Sequence, residues 1–86
     1  MDIESRTGST QGSPEFFTGD VWVSSIAAPK FPGQRAIAAL VRFAPCARTA
    51  WHSHALGQTL HVVSGVALLG TRDGQVIRAY PGQTIY

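Results

Sequence analysis

Two histidines, His52 and His54, sit two residues apart in Trp51-His52-Ser53-His54. On a strand, residues i and i+2 point to one face, so both imidazoles can aim at one point. Ala55-Leu56-Gly57 reads as a short break, and a second apolar run opens at Gln58. The break lets Gln58 return beside the pair. Two imidazole nitrogens and an amide oxygen suit a divalent first-row metal, and ligand type leaves manganese, iron, nickel and zinc open. The plainer reading is a half-exposed strand whose histidines hold no ligand.

The residues around the pair carry more information than the pair. The run from Arg48 through Leu60, closing at Gly65, resembles the first motif of the cupin family. That motif reads Gly, five residues, His-x-His, three or four residues, Glu, six residues, Gly. The spacing from His52 through Gln58 to Gly65 matches it throughout, with Cys46 in place of the first Gly and Gln58 in place of Glu. The Gln form is similar to a subgroup of small single-domain cupins that includes bacterial manganese-dependent hydroxynitrile lyases. The resemblance runs from about Phe16 to Tyr86.

The resemblance implies an all-β, cupin-type jelly-roll barrel with a metal on His52, His54 and Gln58, and it favours manganese. It also implies a small hydroxy or carbonyl compound as substrate. Three neutral ligands would leave the metal nearly its full dication charge, favouring an anion and polarising a bound hydroxyl or carbonyl. The family's second motif begins Gly, five residues, Pro, x, Gly, two residues, His. Pro81-Gly82 resembles its opening, and Tyr86 falls before its His. The expected barrel is therefore incomplete at the C-terminus, and the fourth ligand and general base are not readable. Cys46 and His61 are the spare candidates for a base. A buried small filler is the plainer role for Cys46.

Composition bounds the rest. A chain of 86 residues makes one domain. Residues 1–13 are nearly devoid of apolar side chains and read as a flexible leader, which leaves residues 14–86 as the folded domain. A core of that size rarely supplies more than about 3–5 kcal/mol. Cys46 is the one cysteine, so no disulfide adds to it. A metal, a homo-oligomer with a dimer favoured, or both are expected to contribute. The net charge of +2 comes from scattered Arg and Lys without the aromatic interleaving of a nucleic-acid groove. No apolar run approaches the roughly 18–20 residues of a membrane span. One cysteine and a polar start fit a reducing cytoplasm.

The elements that must position the site are short strands. Val21-Trp22-Val23 is a strand, and Ala27 to Gln34 carries Pro29, Pro32 and Gly33 and reads as a loop. Ala36 to Ala44 is a strand with Arg42, Leu40 and Ala38 on one face. Ile37, Ala39, Val41 and Phe43 share the other, and Ala39, Val41 and Phe43 are candidate pocket-lining residues. Gln58 to Val63 is a strand that puts His61 on the face opposite Gln58. Asp73-Gly74 between two apolar runs predicts a hairpin with positive φ at both central residues. Thr84-Ile85-Tyr86 begins a strand with an open edge. Three functions are consistent with this reading: a metal-dependent lyase, a non-catalytic cupin that binds a small ligand, and a module that associates through open sheet edges.

Overall fold

Val21-Trp22-Val23-Ser24-Ser25-Ile26-Ala27 carries neither charge nor proline and opens on the strand formers Val, Trp and Val, and it forms the longest strand. In the computed structural model, which describes residues 1–6, 8–54 and 56–86, every regular element among the described residues is a β-strand. They are β1 (Thr10–Gln11), β2 (Phe17–Thr18), β3 (Val21–Ala27), β4 (Ala38–Phe43), β5 (Arg48–Thr49), β6 (Leu60–His61), β7 (Ala67–Gly70), β8 (Val76–Ala79) and β9 (Thr84–Ile85). The strands form four separate antiparallel sheets, ordered β1-β3-β4, β2-β5, β6-β9 and β7-β8. The chain divides into two units, Met1–His52 and Ser53–Tyr86.

In the first unit, β3 and β4 pair from Val21↔Phe43 to Ala27↔Ala38. The register shifts between Ser25 and Ala27, so Ile26 is the extra residue of a β-bulge. Directly opposed residues share a face. Val21, Val23 and Ser25 therefore stand with Phe43, Val41 and Ala39, and Trp22 and Ser24 with Arg42 and Leu40. Val21 is fully buried, and the Phe43 ring meets Phe17 edge-on at 6.3 Å between centroids. Leu40 is half-buried although it shares the Arg42 face, while Val41 and Phe43 keep part of their surface exposed. Ile37 lies before β4 and is 75% exposed, so it is no part of the apolar strand face expected of it.

Two residues of the polar leader are paired with β3. Thr10 and Gln11 pair with Val23 and Trp22, and Gly12 N–H donates to the Val21 carbonyl at 2.7 Å. The outer edge of β3 offers backbone groups that need partners, and the polar leader supplies them.

In the second unit, β7 and β8 form the expected hairpin, from Ala67↔Ala79 to Gly70↔Val76. Its turn differs from the predicted one. Among described non-glycine residues only Cys46 has positive φ, so Asp73 does not, while Gly74 lies at φ 94°. Gly74 N–H donates to the Thr71 carbonyl at 3.0 Å, and Thr71 N–H to the Gln75 carbonyl at 2.9 Å. A turn closed by one left-handed glycine replaces the two-residue loop. Asp73 stabilises it by accepting from the Thr71 hydroxyl and, at 3.2 Å, from Gln75 N–H. On one face of the hairpin Ala79 is buried, and on the other Leu68 and Val76 are 69% and 66% exposed. The run at Gln58 to Val63 is strand only at Leu60–His61, which pairs with β9. Thr84 and Ile85 are thus paired on one side rather than fully open.

Three turns share one design. Phe31-Pro32-Gly33-Gln34 and Tyr80-Pro81-Gly82-Gln83 are both closed by an N–H from the last residue to the carbonyl of the first, at 3.1 and 3.0 Å. Gly33 and Gly82 lie at φ 86° and 88°, as a type II turn requires. Each Gln side chain then accepts from the first residue's N–H, at 3.1 Å in Gln34 and 2.7 Å in Gln83. Ala44-Pro45-Cys46-Ala47 repeats the backbone pattern, with Ala47 N–H donating to the Ala44 carbonyl at 3.0 Å, but its third residue is Cys46 at φ 68°. A side chain in that region costs roughly 1–2 kcal/mol, offset in part by the greater chain entropy of glycine.

Cys46→Gly is expected to raise stability by about 1 kcal/mol. Gly82→Ala, where a Cβ meets nothing within 4 Å, is expected to lower it by about as much. Urea unfolding of the two variants checks both signs. The hydrogen bond from Thr71, followed by that from Gln75, holds the Asp73 carboxyl below its ordinary value of 3.8. The turn's contribution is therefore complete above that value and is lost as pH falls through the lowered one. Carboxyl NMR titration should find Asp73 titrating below 3.8, and Thr71→Val should move it upward.

Candidate functional site

β5 pairs with β2 through Phe17↔Thr49 and Thr18↔Arg48, and Ala50 N–H extends the ladder to the Phe16 carbonyl at 2.7 Å. The chain then leaves the ladder, with a bend at Trp51, and His52 and His54 lie outside any strand. The same-face argument for a strand pair does not hold at these positions, because the β2 ladder runs out at Ala50. His52 closes the first unit, whereas His54 and Gln58 belong to the second.

Another constraint orients His52. Its Nδ1 lies 2.8 Å from the Ala50 carbonyl oxygen. A carbonyl oxygen can only accept, so Nδ1 carries the proton and the neutral ring holds its lone pair on Nε2. Metal-binding histidines are commonly held in this way, one ring nitrogen donating to a backbone carbonyl while the other ligates. Sequence inspection missed this contact because its acceptor is backbone.

In the second unit, Gly57 N–H donates to the His54 carbonyl at 3.1 Å and closes a turn that Gln58 follows. This is the break expected between the histidine pair and the amide. Its expected first residue, Ala55, lies outside the described residues. No group of three or more His, Cys, Asp or Glu gathers among the described residues. The expected donor set is of another composition, two imidazoles with a side-chain amide.

The remaining site candidates fall as follows. Cys46 is exposed in its turn. His61 is exposed and lies opposite Thr84, with its Nδ1 2.8 Å from the Thr84 hydroxyl. Ala39 and Val41 stand opposite Ser25 and Val23. Those two residues, with Gly8, Thr10 and Gln11, line an open groove of about 360 Å³ in the first unit. Ala39, Val41 and Phe43 are not among the residues that line it.

The chain is 38% identical over 89 aligned residues to an (R)-mandelonitrile lyase of Granulicella tundricola. The similarity covers the whole of this chain and 66% of the lyase. No protein-family model matches the chain, and no solved structure does. Among the described residues, no helix is long and apolar enough to cross a membrane.

Proposed function

We propose that this chain is a metal-binding cupin with hydroxynitrile-lyase-like activity. The observation that carries the reading is the similarity, over the full chain, to an (R)-mandelonitrile lyase. Support comes from the His52, His54 and Gln58 spacing and from the Ala50 carbonyl that fixes the His52 tautomer. His52 and His54 would bind through neutral imidazoles, and Gln58 through its amide oxygen. Manganese is the favoured metal, with iron, nickel and zinc compatible with the same donors. The metal would supply positive charge that polarises a hydroxyl or carbonyl and attracts an anion such as cyanide. The Ala39, Val41 and Phe43 face is proposed to border the small substrate, and a homodimer is the proposed assembly.

The chain spans 66% of the lyase's length, which favours one other reading for these 86 residues by themselves: metal or ligand binding without turnover. The two readings part at the chemistry. Only the first requires cleavage of mandelonitrile.

Mass spectrometry of the native protein with manganese should show one metal per chain, removed by chelator. His52→Ala and His54→Ala should each abolish it. Gln58→Glu adds a negative charge and should tighten binding. Mandelonitrile turnover by the metal-loaded chain should exceed that of the His52→Ala, His54→Ala double variant. Equal rates would remove the lyase reading, and no metal uptake would remove the metal site and leave small-ligand binding as the reading.

A further inference from the structure

The chain holds three aspartates and no asparagine. Asp2 precedes Ile3 and Asp20 precedes Val21, whose branched side chains crowd the backbone nitrogen that follows each carboxyl. Asp73 precedes Gly74, which has no side chain to do so. When the next residue's nitrogen attacks an aspartate carboxyl carbon, a succinimide ring closes. Asp73-Gly74 is the aspartate junction where that attack meets the least steric resistance.

The turn brings the two reacting groups together. Asp73 accepts from Gln75 N–H at 3.2 Å, an Asx turn that folds the carboxyl back along the Gly74 peptide. Asp73 and Gly74 are both exposed, and a Cβ at Gly74 would meet nothing within 4 Å. Water therefore reaches the junction.

Two features of the same turn oppose the reaction. Gly74 N–H donates to the Thr71 carbonyl at 3.0 Å, and the nitrogen must lose that proton to attack. The Thr71 hydroxyl donates to the carboxyl oxygen that Gln75 N–H also reaches. Ring closure needs the neutral carboxyl, whose OH can leave as water. The Thr71 bond first, and the Gln75 bond after it, favour the carboxylate and hold the group below its ordinary value, so the reactive form is rarer in the fold than in the unfolded chain.

We infer that Asp73-Gly74 is a latent isoaspartate-forming modification site, and that the Thr71 side chain restrains it. The Gly74 nitrogen bonds to the Asp73 carboxyl carbon, its proton and the carboxyl OH leave as one water, and the succinimide forms. Water then adds to the ring carbonyl on the backbone side and breaks its bond to nitrogen. The chain now runs through the former side chain, and a free carboxylate stands on the Asp73 α-carbon. No oxidant or reductant takes part. The product has an extra backbone carbon beside the Gly70↔Val76 pair and the Thr71 N–H to Gln75 carbonyl bond of 2.9 Å. That turn cannot close in its former geometry. The new exposed carboxylate is the group that protein isoaspartate methyltransferases esterify, which gives the class of partner the altered turn would meet.

The full chain, aged in mildly acidic buffer and assayed by isoaspartate-specific carboxyl methylation with peptide mapping, tests the inference. Isoaspartate should accumulate at Asp73 ahead of Asp2 and Asp20, and Asp73→Ser should abolish that signal. Accumulation should be several-fold faster in denaturant than in the native chain. Native Thr71→Val should approach the unfolded rate, whereas Thr71→Ser, which keeps the hydroxyl, should stay near wild type. In denaturant all three should react alike, since Thr71 acts through the folded turn. Equal rates in native and unfolded wild type would overturn the inference. So would a native Thr71→Val chain no faster than Thr71→Ser, or isoaspartate that maps first to Asp2 or Asp20. None of these readouts depends on metal uptake or on mandelonitrile turnover.

Discussion

The backbone ladder between β3 and β4 is the constraint on which the first unit depends. It is the longest pairing among the described residues, and it sets where the others attach. β1 adds to the free side of β3, while β4 delivers Phe43 to Phe17 of β2. β2 in turn pairs with β5, whose ladder ends at Ala50. The Ala50 carbonyl then takes the Nδ1 proton of His52. The orientation of a candidate ligand is thus the last link in a chain of backbone pairings. Side-chain burial adds little to that chain, since Val21 and Ala79 are the buried hydrophobic residues among those described. Exposed apolar residues in both units leave backbone hydrogen bonding and turn geometry to define the local structure.

Turns do much of that defining. A type II turn fixes its third residue at positive φ and so reverses the chain with a set geometry. The Pro32-Gly33 and Pro81-Gly82 turns add a Gln whose side chain accepts from the turn's own first residue. In the second case the same turn is joined to β6: Gly82 N–H donates to the Val62 carbonyl at 2.8 Å, and Val62 N–H to the Gln83 carbonyl at 3.0 Å. The turn therefore extends the two-residue β6–β9 pairing beyond its formal ends. A short strand can be held in place by a well-made turn where its own ladder is too brief.

Features written in local chemistry were legible in the sequence. The β3 and β4 segments stood out by composition, the Pro-Gly turns by residue type, and the β7–β8 hairpin by Asp73-Gly74. Features that depend on a distant partner were not. Leader residues Thr10 and Gln11 have no strand signal and are strand because β3 needs an edge partner. The hairpin loop differs from the two-residue form that Asp73-Gly74 suggests because Thr71 and Gln75 hold Asp73 in an alternative turn. The histidine pair was placed on a strand by spacing, but β2 is too short to continue the ladder past Ala50. The His-x-His spacing remains as sequence, and strand alternation does not act on it.

The two departures from the motif that the sequence resembles are of different kinds. Cys46 adopts a positive φ, the backbone region that glycine enters most readily. The cost is backbone energy, and it leaves the donor atoms unchanged. Gln58 is the reverse case: it asks nothing unusual of the backbone and changes the chemistry. An amide oxygen has a carboxylate's reach without its charge, so a dication on this proposed donor set would be held less tightly and would keep more of its field for a ligand. A conformational departure bears on whether the loop forms, and a charge departure on what the formed loop would bind. Only the second distinguishes one proposed chemistry from another, and for that reason Gln58, more than either histidine, carries the specificity of the lyase reading.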